Sequence, residues 1–224
     1  MTERYINESV FSRLFYEDGP LGIIQLGDYS LLIIVWNLLL LLVPFLVVLL
    51  LHRYLVFKKA GGIGKWSILG IGGLIWLFFI PNSAYIITEV RHLLGYCPSE
   101  AERDVCVPYA WMIIPYFIYS LVGWVSFVLL LEQMKRFLSA LFDLRTGRVF
   151  TVVVIPFISL GVLLGLINRF NTWEVVMEPL QILDVMLTYF TDPTYFLNWA
   201  VFTVGLYILY FAGTLLFKIR LNFK

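Results

Sequence analysis

The chain has 224 residues, of which 61% are hydrophobic and 14% charged, with a mean hydropathy of +0.88. A soluble domain of this size carries about 25% charge, so a water-soluble globule is excluded and a single-domain integral membrane protein is expected. The net charge of +1, with no basic stripe or finger-like spacing, gives nucleic acid nothing to bind.

The first segment, residues 1–28, reads as an extracytoplasmic tail with amphipathic character from Val10, Phe11, Leu14 and Phe15. It has acids where a signal peptide needs a basic region and an apolar core, so no cleaved leader is expected. Five uncharged apolar stretches follow, each near the roughly 20 residues that a helix needs to cross a bilayer. They lie at about 29–51, 66–88, 107–131, 149–167 and 195–217, and residues 218–224 form a tail. Between the fourth and fifth, Pro179 and Asp192–Pro193 bracket a segment whose polar residues, Gln181, Asp184 and Thr188, fall three to four apart. That pattern predicts an amphipathic helix lying on the outer interface. The predicted fold is therefore an all-α membrane protein of about five transmembrane helices plus one outer interfacial helix.

Charge predicts the orientation. The segments 52–65, 132–148 and 218–224 share one side and carry eleven Lys and Arg against two acids, Glu132 and Asp143. The opposite side carries five basic residues and thirteen acids. Short cytoplasmic loops are rich in Lys and Arg, so the N-terminus is expected outside and the C-terminus in the cytoplasm. The only cysteines, Cys97 and Cys106, both fall on the expected outer side. A disulfide between them is expected, because such bonds persist in oxidising compartments.

Three polar groups then reach one membrane level on that side. Asn37 lies in the outer half of the first span. Pro81 and Asn82 lie in the outer half of the second, followed by Tyr85, Thr88, Glu89, Arg91 and His92. The fourth span emerges into Asn168, Arg169, Asn171, Trp173 and Glu174. Each has a plain structural explanation. Asn37 suits interhelical bonding, Pro81 should kink its helix, Asn82 can satisfy groups that the kink frees, and Tyr85 and Trp173 suit the interface. Their co-location favours a site, since polar groups at membrane depth are costly. Glu89, His92 and Glu174 are the candidate acid–base groups. Asn37, Asn82, Tyr85, Thr88, Arg169, Asn171 and Trp173 are the candidate ligand contacts. No cofactor is expected. Glu89 and His92 have Glu-x-x-His spacing, a weak signal for a divalent metal. A bis-histidine haem is excluded within one chain, because His52 belongs to the opposite side.

Trp36–Asn37 with Val43–Pro44, then "IPNSAYIITEVRHL", then "GLINRFNTWEVVMEP" resemble the motifs of the bacterial membrane proteins grouped as domain of unknown function 1361. The resemblance spans about residues 30–215. Its middle motif maps to Pro81, Asn82, Tyr85, Thr88, Glu89 and His92, and its third to Gly165, Arg169, Asn171, Thr172, Trp173 and Glu174. Both acids are glutamate here in place of aspartate, and Leu166 replaces a first arginine, which argues against a two-arginine clamp. The resemblance implies a bacterial inner-membrane location and carries no reaction with it. Three roles stay open: binding or handling of a small solute or lipid at the outer site, an enzyme on a lipid or periplasmic substrate, and a structural or partner-binding protein. The bilayer is the expected partner. A homodimer would supply the symmetry that a chain without internal repeats lacks.

Overall fold

The computed structural model describes residues 25–26, 29–57, 63–91, 111, 113–170, 172 and 174–217. Cys97, Cys106, His92, Asn171 and Trp173 lie outside them, as do the tails at 1–24 and 218–224.

The fold is all-helical apart from a two-residue antiparallel pairing of Gln25–Leu26 with Tyr29–Ser30. Five helical spans are long and apolar enough to cross a membrane: Leu32–Val56, Gly64–Arg91, Ile113–Leu141, Leu144–Leu166 and Pro193–Phe217. The first comprises α1 (Leu31–Leu40) and α2 (Leu42–Leu51), then widens into a π-helical stretch, His52–Phe57. The second comprises α3 (Ile63–Phe79) and α4 (Pro81–Thr88). The third is α5 (Ile113–Leu141) and the fourth α6 (Leu144–Leu166). Two short helices, α7 (Glu174–Met177) and α8 (Pro179–Thr191), lead to the fifth span, α9 (Pro193–Phe217).

Three boundaries differ from the sequence expectation. The third span starts later and runs on to Leu141, so Glu132, Lys135 and Arg136 belong to a helix and not to a loop. The fourth begins at Leu144, where the Asp143 carboxylate accepts the Thr146 N–H and caps it. The first is helical past Leu51 to Phe57. In each case helical winding continues through charged residues, where an apolar-window reading ends too early.

The proline kinks follow from backbone accounting. Pro81 divides the second span at Ile80. The Ser83 amide bonds Ile80 O at 3.1 Å in place of Phe79 O, and the Asn82 Nδ2 donates to Phe79 O at 3.1 Å. Pro156 lies inside α6 and denies a donor to the carbonyl four residues back, Val152. The Tyr207 hydroxyl of α9 donates to that carbonyl, and Trp199 Nε1 donates to Pro156 O at 3.0 Å. Aromatic donors from the fifth span thus repair the fourth.

The core centres on Trp76, Ile80, Phe127, Leu131, Phe137, Ile155, Ile158 and Tyr210, contributed by α3, α5, α6 and α9. Outside it the polarity of a soluble protein is inverted. Leu50, Ile71, Ile114, Phe117, Leu197, Val201 and Ile208 are among many large apolar side chains facing outward. Hydrocarbon is the solvent that such a girdle matches. The predicted amphipathic helix is α8. It packs Ile182 and Tyr189 against α6 and α9, and Asp192 ends it while accepting the Thr194 N–H at 2.7 Å.

Candidate functional site: a charged cluster between four spans

α4 carries most of the polar cluster, and small residues set its depth. It packs on both α5 and α6. A Cβ at Gly123 of α5 would stand 2.7 Å from Ile86 Cγ2, and one at Gly161 of α6 would stand 2.7 Å from Pro81 Cγ. A Cβ at Gly165 would meet the Tyr85 ring at 3.6 Å. The kinked segment therefore lies in a trough floored by three glycines from two helices.

This seating buries Glu89 completely. Arg91 folds back from a tightened helical turn. Its guanidinium sits 3.8 Å from Glu89 Oε1 and donates to the Tyr85 hydroxyl at 3.1 Å, and it also lies 5.7 Å from the Tyr85 ring centroid. Arg169, beyond the end of α6, acts electrostatically on Tyr85. From α5 the buried Tyr119 hydroxyl lies beside Asn37 of α1 and within electrostatic reach of Glu89 and Tyr85. Asn37, Tyr85, Glu89 and Arg169 from the sequence reading are therefore brought together. They come from the first, second and fourth spans, and the third span adds Tyr119.

Other predicted members take different places. Asn82 donates to Phe79 O, and Thr88 donates to Tyr85 O at 2.7 Å, so both spend a donor on their own helix. Glu174 opens α7, partly buried. The guanidinium paired with Glu89 is that of Arg91, which the sequence placed at the same level but which was not among the candidate contacts. Tyr119 had no signal at all, since a tyrosine in an apolar run is ordinary. Among the described residues, no three His, Cys, Asp or Glu are grouped to hold a metal ion.

The exit from α6 is strained. Arg169 has φ of 60°, the one positive value at a non-glycine among the described residues. Left-handed backbone costs a side-chain-bearing residue roughly 1–2 kcal/mol. The reversal is closed by Phe170 N–H to Leu164 O at 3.1 Å and by Tyr189 OH to Asn168 Oδ1 at 3.0 Å. Burial pushes the Tyr189 hydroxyl up to about 12, so it stays protonated and keeps donating at neutral pH.

A second cluster lies further along α5. Glu132 is buried and accepts from Lys135 Nζ at 2.6 Å and from the Tyr210 hydroxyl of α9. Lys135 also donates to Tyr210 OH at 3.1 Å, and Arg136 Nε stands 3.6 Å from Glu132 Oε2. The i, i+3, i+4 spacing of Glu132, Lys135 and Arg136 was visible in the sequence, whereas Tyr210, which makes it an interhelical lock, was not.

A five-span helical membrane protein with a buried carboxylate paired to a guanidinium, and tyrosine and asparagine groups from neighbouring spans close by, is the class that this fold and cluster define. The family model described as protein of unknown function (DUF1361) matches residues 36–210, and the chain belongs to that family. The match begins at the Trp36–Asn37 pair and ends at Tyr210, so it contains both clusters. No curated protein and no solved structure matches the chain.

Proposed function

We propose that the Glu89 cluster is an outward-facing site that binds or handles a small solute or lipid. The observation carrying this reading is one fully buried carboxylate within reach of Tyr85, Tyr119 and Arg91, with Asn37 beside Tyr119 and Arg169 acting on Tyr85, a network drawn from four spans. A carboxylate at membrane depth is expensive and ordinarily marks a pathway or a site. The Arg91 guanidinium beside it and the Arg169 charge near Tyr85 favour an anionic or hydrogen-bond-accepting group on the ligand. The strained backbone at Arg169 supports the same reading, because such strain clusters at functional positions. The acid–base alternative would use Glu89 with His92 and Glu174; no specific observation raises it above binding.

Native mass spectrometry of the purified full chain tests the proposal. The wild type should retain a small molecule or lipid that Glu89→Gln and Arg91→Gln each lose while remaining folded. Equal retention in all three proteins, or none in the wild type, would return these residues to a packing role.

The location that goes with this reading is the bacterial inner membrane, with the N-terminus outside and the C-terminus in the cytoplasm. It rests on the excess of Lys and Arg on one side of the spans. Cysteines introduced singly at Ser9 and Asn222, with Cys97 and Cys106 replaced, report on it. An impermeant maleimide should label the first in intact cells and spare the second. The reverse pattern would turn the Glu89 cluster toward the cytoplasm.

A further inference from the structure

We propose that the first three turns of α6, at the opposite end of the bundle from Glu89, form a docking groove for one anionic phospholipid. Arg145 and Arg148 would hold its phosphate, and Val149, Val152 and Val153 would line its acyl chain. These five residues bound an open groove of about 410 Å³. All five side chains are exposed, the valines by 53–57%. From Arg145 to Val153 the helix rises roughly 12 Å, which matches a head group and the upper part of one acyl chain. Charge stands at one end of the groove and hydrocarbon at the other, as in a phospholipid.

Depth has its own marker. Just before α6, Phe142 stacks on Trp66 with ring centroids 6.0 Å apart, and Lys65 Nζ lies 5.8 Å from each ring. Aromatic rings with a lysine beside them characterise the head-group level. Arg145 and Arg148 follow within two turns, so their guanidiniums reach the phosphate plane while the valines point to the acyl region. The α5 cations on this end, Lys135 and Arg136, are already paired with Glu132. The Asp143 carboxylate accepts the Thr146 N–H and lies within electrostatic reach of Arg148, offsetting part of one charge and leaving Arg145 the stronger anchor. Arginine forks match phosphate oxygens in pairs, which favours phosphate over a simple carboxylate.

The test uses the full chain in detergent, titrated with phosphatidylglycerol or phosphatidylcholine and read by native mass spectrometry. Phosphatidylglycerol should bind preferentially. Arg145→Gln should weaken it about fivefold, the equivalent of about 1 kcal/mol for one cation near a lipid surface, and Arg148→Gln by less. Val153→Trp, which fills the groove and leaves the charges in place, should weaken both lipids. Lys65→Gln removes a charge at the same level outside the groove and should leave binding unchanged. Four results overturn the proposal: equal binding of the two lipids, wild-type affinity in the double arginine variant, complete displacement by inorganic phosphate alone, or a lipid-free dimer that Val153→Trp dissociates. The last would assign the face to a second copy of this chain. Ligand retention at Glu89 is a separate readout, which the groove variants should leave intact.

Discussion

Glu89 and Glu132 are both buried, yet they are held in different ways. Thirteen residues of α5, roughly 20 Å of helix, separate Tyr119 at the first cluster from Glu132 at the second. Glu132 has short contacts, with Lys135 Nζ at 2.6 Å and the Tyr210 hydroxyl on one oxygen and Arg136 on the other. Glu89 is hydrogen-bonded by the Tyr85 hydroxyl and has its guanidinium at 3.8 Å, and that guanidinium is also committed to Tyr85. A buried carboxylate with close partners on both oxygens ties α5 to α9 and leaves little for a ligand to gain. A buried carboxylate among polar groups from four spans, with a longer ion pair, can exchange partners. The contrast teaches that burial of a charge alone does not mark a site; how tightly the charge is already held does.

The largest effect should come from breaking the tight cluster. Glu132→Ala leaves Lys135 and Tyr210 facing each other without the anion between them. Removing one partner of a buried pair costs several kcal/mol; because 29% of the Lys135 side chain is exposed to solvent, about 3 kcal/mol is expected. Thermal unfolding of the purified protein reads it directly. A loss under about 1 kcal/mol would mean that the cluster relaxes freely, and the two glutamates would no longer differ in kind.

Next comes the seat of the other cluster. Gly161→Ala drives a methyl against the Pro81 ring, a rigid neighbour, and overpacking of this kind costs about 1–3 kcal/mol. Gly64→Ala is the counterpart. It sits in α3 with nothing within 4 Å, so it should stabilise slightly through helix propensity. Opposite signs from the same chemical change would show that the glycine trough, and not glycine content in general, sets the depth of Glu89. A melting temperature unchanged in Gly161→Ala would show that α4 can shift outward and that its position is not fixed by contact.

Much of this bundle was legible in the sequence because the bilayer imposes a length and a polarity. Five apolar stretches mapped onto five spans, and Pro179 and Asp192–Pro193 bounded α8 as expected. Boundaries were missed where chemistry depended on a distant segment. Nothing near Glu132 in the chain announces Tyr210, so the helix through Lys135 and Arg136 looked like a loop. The candidate site was half legible. Asn37, Tyr85, Glu89 and Arg169 are polar residues at one predicted level, so counting residues along each span finds them. Arg91 and Tyr119 join through side-chain reach and helix packing, which periodicity does not encode. Asn82 donates to the carbonyl left open at the kink, the structural role that its place beside Pro81 suggested.

The comparison is sharpened most by Glu89→Gln, whose effect on stability should be small. Gln keeps the shape and an acceptor for the Tyr85 hydroxyl while discarding the cost of burying a charge, and the guanidinium it leaves is partly exposed and still bonded to Tyr85. The expected shift is within about 1 kcal/mol, while ligand retention is lost. If unfolding instead shows a loss as large as that of Glu132→Ala, Glu89 is a second structural lock and the proposed site fails with it.

A third carboxylate supplies the exposed limit of the series and the smallest effect. Asp143 is solvent-exposed at the start of α6, with an extended backbone at φ −159°. Its hydrogen bonds with Thr146, and the Arg148 charge to a lesser degree, hold its carboxyl below the usual aspartate range in the folded protein. A folded value below the unfolded one means that the charged form favours folding. The stabilisation is therefore fully present above the ordinary aspartate value and is lost as pH falls through the folded value. Asp143→Asn keeps an acceptor for the Thr146 N–H and discards the charge. Melting temperatures of wild type and variant should differ slightly and by a constant amount from pH 7 down to about pH 5. The gap should then close on further acidification, near and below the aspartate range at about pH 4. A gap that does not narrow at all on acidification would trace the difference to cap geometry and not to ionisation. A gap that opens on acidification would reverse the sign and place the Asp143 charge among the destabilising ones.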